Sequence, residues 1–138
     1  MNNMDIGKYK HIFDKAAFIR ELGCELIKLE KGFCEVHLSV LPKHLQQNGF
    51  VHAGVLASMA DHAAGCAAYT TADESVTVLT TEFKINLLRP AVGQTIISRS
   101  KVLKPGKTIS VCLSEIFAVN NQEEKMVAVA LVSIANTR

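Results

Sequence analysis

Tryptophan is missing from this 138-residue chain, and the remaining aromatics, six Phe and two Tyr, lie apart from any basic run. A surface that stacks single-stranded bases interleaves aromatics with cations, so that class of partner is excluded. Charge of one sign is also lacking. Fifteen Lys and Arg face 13 Asp and Glu, and a net charge of +2 is too small and too scattered to hold a nucleic-acid backbone. No apolar run reaches the length a bilayer demands, and the first ten residues carry no signal-peptide core. These absences predict a cytoplasmic protein that binds neither membrane nor nucleic acid. With three Pro and eight Gly there is no linker, repeat or low-complexity tract, so residues 1–138 read as one domain. Cys24, Cys34, Cys66 and Cys112 lack the close pairing of a zinc site, and no metal is expected. They read as reduced core thiols. Only Cys66, four residues after His62, has a neighbour able to lower its pKa.

What is present is a clear alternation of element types. Ile6, Tyr9, Ile12, Phe13, Ala16, Ala17 and Ile19 recur at helical spacing and predict an N-terminal helix over about 6–22, ended by Gly23. Cys24 to Leu29 and Phe33 to Leu41 read as a strand hairpin about Glu30-Lys31-Gly32. Pro42 to Gly49 is a polar loop, and the Ala-rich stretch over about 54–69 is the only long central helix available. Four strands then follow. In Val76 to Leu88 the pattern puts Leu79, Phe83, Ile85 and Leu87 on one face and Thr80, Glu82, Lys84 and Asn86 on the other. Thr95 to Leu103 and Thr108 to Val119 flank Lys104-Pro105-Gly106-Lys107, a type II turn by its Pro-Gly centre. Met126 to Ile134 closes the chain after a polar turn from Asn120 to Lys125.

One carboxylate stands out. Between Ala53 and Ala72 the sole acidic residue is Asp61, set among Ala57, Ala60, Ala63, Ala64 and Ala68, where a charge is costly unless paired or used. The polar loop runs directly into the helix start, where unpaired N–H groups near His52, Ala53 and Gly54 can meet a polar ligand atom. A carboxylate with oxyanion donors suggests acyl-transfer chemistry. Gly54 and Asp61 are seven residues apart, roughly 10 Å along one helix, too far for a single carbonyl to touch both. The site therefore reads as one built from two chains. The competing reading makes Asp61 structural, a cap or a partner of His62 or Arg89.

A helix this poor in large side chains suits a curved antiparallel sheet wrapped around it. With His52-Ala53-Gly54, Asp61 nine residues after His52, Gln46, the strand exit Arg89-Pro90-Ala91 and the turn Leu103 to Thr108, the chain from Phe18 onward resembles the hot-dog-fold acyl-CoA thioesterases of the phenylacetate-pathway type. The resemblance implies an α+β hot-dog fold and hydrolysis of acyl-CoA to free acid and CoA, with aryl or medium-chain acyl groups favoured. CoA then enters as part of the substrate, and no separate cofactor is needed. It further implies a homodimer that forms the site, paired again into a tetramer.

Within that resemblance Asp61 is the nucleophile or the general base, the N–H of Ala53 or Gly54 is the oxyanion donor, and His52 is positional. Gln46 matches a position whose amide holds the carbonyl or the attacking water, and Thr80 a hydroxyl that orients water or carboxylate. The family usually has His-Gly-Gly at the helix start. Here Ala53 replaces the middle Gly, and it can still donate through its backbone. Arg89, Lys104 and Lys107 are the cations expected near the coenzyme phosphates, with Gly106 allowing close backbone approach, although two lysines at a hairpin tip are equally well read as solvated charge. A hydratase on the same fold would need a Glu early in the helix, where this chain has Met59. A non-catalytic acyl-CoA-binding module would keep the pocket and tolerate loss of Asp61.

Overall fold

The computed structural model describes residues 6–137; residues 1–5 and 138 of the expected domain lie outside the described residues. The N-terminal helical segment is two helices, α1 (Ile6–Lys15) and α2 (Ala17–Leu22), rather than one. Ala16, at φ −73° and ψ 90°, breaks the helix so that Phe13 and Ile19 can both turn into the core. Gly23 ends α2 as expected: its φ of 96° is open to glycine, and its N–H reaches the carbonyls of Ile19 and Arg20.

Strands β1 (Cys24–Glu30) and β2 (Phe33–Ser39) form the first hairpin. The long helix α3 spans Ala53–Tyr69, followed by β3 (Thr77–Leu87), β4 (Thr95–Lys104), β5 (Ile109–Asn120) and β6 (Glu123–Thr137). They make one antiparallel sheet in the order β1-β2-β4-β5-β6-β3, and α3 touches all six strands. This is the expected hot-dog architecture. Among the described residues no helix is long and apolar enough to cross a membrane.

The core lies between α3 and one face of the sheet. Met59, Ala60, Ala63, Ala64 and Ala67 are fully buried against Val36, Leu38, Ile96, Ile116 and Val132. Alanine allows an approach close enough for the Ser114 hydroxyl of β5 to donate to the Ala60 carbonyl at 2.7 Å. Cutting Met59 to Ala in such packing costs about 2–5 kcal/mol.

Three details differ from the sequence reading. The last four strands do not pair in chain order, because β3 pairs with β6 and leaves β4-β5-β6 as a meander. The turn at Gly106 is not type II. Its φ is not positive, and it must be Gly for a different reason, since a Cβ there would lie 1.8 Å from the Ile109 carbonyl oxygen. The polar turn before β6 shrinks to Asn121 and Gln122, at φ 50° and 69°, whose twist suits a two-residue hairpin, so β6 starts at Glu123.

Candidate active site

The start of α3 is built by two histidines. His44, buried in the 3-10 turn Pro42–His44, accepts the Leu41 N–H on Nδ1 and bonds the Leu22 carbonyl through Nε2 at 2.7 Å. Its own carbonyl accepts the His52 N–H, which fixes where the helix begins. His52 is the N-cap residue, with its Nδ1 accepting from the Gly54 N–H at 2.8 Å. A Cβ on Gly54 would sit 3.0 Å from that same ring nitrogen, so the His-x-Gly spacing is a capping device.

Capping distinguishes the two backbone N–H groups that the sequence left as alternatives. The Gly54 N–H is committed to His52 and is unavailable. The Ala53 N–H has no acceptor among the described residues, and Ala53 is an exposed residue. Gln46 stands beside it. Its Oε1 accepts the N–H groups of Asn48 and Phe50, an orientation that leaves the NH₂ for a ligand. Gln46, His52, Ala53, Leu56, Leu87 and Arg89 line one cleft of about 570 Å³.

Asp61 lies two helical turns further on, in a separate cavity of about 380 Å³ with Thr80, His62, Cys66 and Tyr69. The Thr80 hydroxyl donates to Asp61 Oδ1 at 2.6 Å. No cation pairs with Asp61 among the described residues, which removes the ion-pair readings with His62 and Arg89. His62 instead packs edge-on against Phe13, with ring centroids 4.7 Å apart.

Thr80 reaches Asp61 through a β-bulge. In the pairing with β6, Thr80 is opposite Ile134 and Glu82 opposite Ser133, so Thr81 is the extra residue. Thr80 consequently shares the helix-facing side with Phe83, Ile85 and Leu87, whose partners Val132, Ala130 and Ala128 are buried, while Leu79 turns to the other side. Uninterrupted alternation had put Thr80 and Phe83 on opposite faces, and the bulge reverses that.

The expected phosphate cations are not brought together within one chain. Arg89 follows the end of β3, beside the cleft at the start of α3. Lys104 and Lys107 lie at the opposite end of the sheet, where Ile109 and Leu79 both neighbour Ala135. The Gly106 N–H is used by Ser110 Oγ at 3.1 Å, and the Asn136 side chain holds the Gly106 carbonyl at 2.7 Å. Gly106 thus closes the hairpin.

One cluster was seen only in part from the sequence, as Cys66 with His62. The Cys34 thiol hydrogen-bonds Cys66, and together with the His62 ring it pulls the Cys66 thiol below its ordinary range, against the opposing effect of burial. Cys34 keeps the proton and is pushed up. Burial alone pushes Cys24 and Cys112 up to about 11. The four-residue spacing of His62 and Cys66 was visible, but the partner on β2 was not.

Residues 48–125 match the family model described as the thioesterase superfamily. The chain is 32% identical to a thioesterase family protein of Silicibacter pomeroyi, with a TM-score of 0.93 over 96% of this chain and 97% of that one. It is 30% identical to the acyl-coenzyme A thioesterase PaaI of Escherichia coli over 85% of its own length and 80% of the relative. The solved structure of E. coli PaaI, described as a protein of the phenylacetic acid degradation operon, superposes with a TM-score of 0.84 at 26% identity, covering 96% of this chain and 92% of that one.

Proposed function

Because this chain belongs to the thioesterase superfamily, we propose that it hydrolyses acyl-CoA thioesters with Asp61 as its carboxylate, in a site shared by two copies of the chain. Negative charge grows on the thioester oxygen as the carbonyl is attacked, and donors aimed at that oxygen stabilise the transition state more than the ground state. The Ala53 N–H is the backbone donor, with the Gln46 amide beside it. Asp61 either attacks the carbonyl or takes a proton from the attacking water. Both roles need one free carboxylate oxygen, and Thr80, by holding Oδ1, orients the other.

The observation that carries this reading is the division of the machinery. Ala53 and Asp61 are eight residues apart on one helix, about 12 Å, and each faces its own cavity. Strand β3 is an edge of the sheet, and Leu79, Phe83 and Leu87 on it stay exposed. A second copy paired antiparallel along β3 covers that edge. Such a pairing carries the Gln46–Ala53 half of one protomer toward the Asp61–Thr80 half of its partner. Arg89 of one chain then approaches the Lys104–Lys107 hairpin of the other, which reunites the phosphate cations. Pairing of two such dimers into a tetramer is the next step of the same proposal. Tyr9, Phe13 and Tyr69 in the cavity beyond Asp61 favour an aryl or medium-chain acyl group.

Mixed dimers test the shared site. Asp61→Ala and Gln46→Ala proteins, each inactive alone, are unfolded together and refolded in equal amounts. Half the dimers are then mixed and each holds one intact site, so about one quarter of wild-type turnover returns. No recovery contradicts the shared site.

A further inference from the structure

Asp61, Gly65 and Tyr69 follow one another at four-residue spacing, so they lie along one face of α3, and all three line the 380 Å³ cavity. Gly65 has no structural duty. Its φ is helical, and a Cβ built on it meets nothing within 4 Å. Glycine costs a helix stability relative to alanine, so a bare position facing a cavity marks a place where room is needed.

The cavity has a definite far end. Tyr69, the last residue of α3, meets Tyr9 of α1 edge to face, with centroids 5.7 Å apart at 79°. Beyond the pair lies a second cavity of about 190 Å³, lined by Tyr9, Ile12, Tyr69, Ala72 and Glu74. Tyr9, Ile12 and Tyr69 line both spaces, so the two rings stand between them.

We propose that the Tyr9–Tyr69 pair is a chain-length gate: an acyl channel begins at Asp61, passes the bare Cα of Gly65 and is closed by the two rings. The identity of the occupant rests on the thioesterase reading. From Asp61 to Tyr69 is eight residues, about 12 Å along the helix axis. A zigzag carbon chain with bonds of about 1.5 Å advances about 1.25 Å per carbon, so the channel takes roughly eight to ten carbons. The substrate class is then acyl-CoAs of medium length or with a single aromatic ring, and longer chains are refused by the rings.

The test compares kcat/KM for hexanoyl-, decanoyl- and tetradecanoyl-CoA in wild type, Tyr69→Phe and Tyr69→Ala. Tyr69→Phe keeps the ring and keeps the low ratio of tetradecanoyl to hexanoyl turnover. Tyr69→Ala joins the two cavities, and the ratio rises by about fourfold for each methylene newly buried. A folded Tyr69→Ala protein with the wild-type ratio overturns the gate. Should Tyr69→Ala not fold, Tyr9→Ala opens the partition from the other side and is judged by the same ratio. If wild type releases CoA from none of the three and from phenylacetyl-CoA neither, the thioesterase reading fails, and the gate is read from calorimetric binding of free octanoic and tetradecanoic acids. Tetradecanoate binding gained only in the alanine variant supports the gate, and equal binding by wild type and variant overturns it.

Discussion

The hydroxyl of Thr80 donates to Asp61 Oδ1 at 2.6 Å from a strand whose regular alternation would have turned it away. The extra residue at Thr81 makes the contact possible, and Thr81 is itself tied down through its hydroxyl to the Ser133 carbonyl at 3.1 Å. The carboxylate thus owes its orientation to an irregularity in an edge strand.

Removing the Thr80 hydroxyl while keeping its shape should impair the chemical step. A hydrogen bond to a charged group contributes about 1.5–3 kcal/mol, so Thr80→Val is expected to lower kcat roughly 10- to 100-fold. Thr80→Ser should restore most of it. Steady-state kinetics with a hydrolysed acyl-CoA reads both.

The His52 ring caps α3 through Gly54. His52→Ala loses that cap and should reduce stability by about 0.5–2 kcal/mol, measured by urea unfolding. His52→Asn, which keeps an acceptor at the cap, should recover part of the loss.

Gly65 should show the opposite trade. Gly65→Ala meets open space, so stability rises by about 0.5–1 kcal/mol from the helix propensity alone. The added methyl narrows the channel beside Asp61, and KM for phenylacetyl-CoA should rise while the melting temperature increases.

Cys66 should be the reactive thiol. Its hydrogen bond from Cys34 and the nearby His62 lower its pKa, so the thiolate is favoured at a pH where an ordinary thiol, with a pKa of about 8.5, is mostly protonated. Alkylation by iodoacetamide should already be near its plateau at neutral pH and fall as the medium is acidified. Cys24 and Cys112, pushed up to about 11, should stay unmodified. Peptide mass spectrometry after brief labelling checks the order, and Cys34→Ala, which removes the donor, should slow the labelling of Cys66.

The helix α3, the first hairpin, the strand order along the chain and the lone carboxylate were all legible because each rests on local pattern: small residues at helical spacing, alternation in β2, a Gly at φ 96° after α2. The pairing of β3 with β6 was not, since sheet order depends on contacts far apart in sequence. The face of Thr80 was lost to one inserted residue, as a shift of one position reverses every side chain that follows. That the Gly54 N–H is occupied turned on a ring nitrogen 2.8 Å away, a distance that spacing cannot supply. Likewise, Pro105-Gly106 suggested a turn type, whereas the need for Gly came from the Ile109 carbonyl across the hairpin.

The most direct measurement is thiol release from a panel of aryl, short-, medium- and long-chain acyl-CoAs by wild type and Asp61→Asn, with acyl-CoA binding followed in parallel. The account predicts hydrolysis by wild type that collapses in Asp61→Asn while binding persists. Binding of acyl-CoA by both proteins with hydrolysis by neither, or equal turnover by both, would contradict the assignment of Asp61 as the working carboxylate.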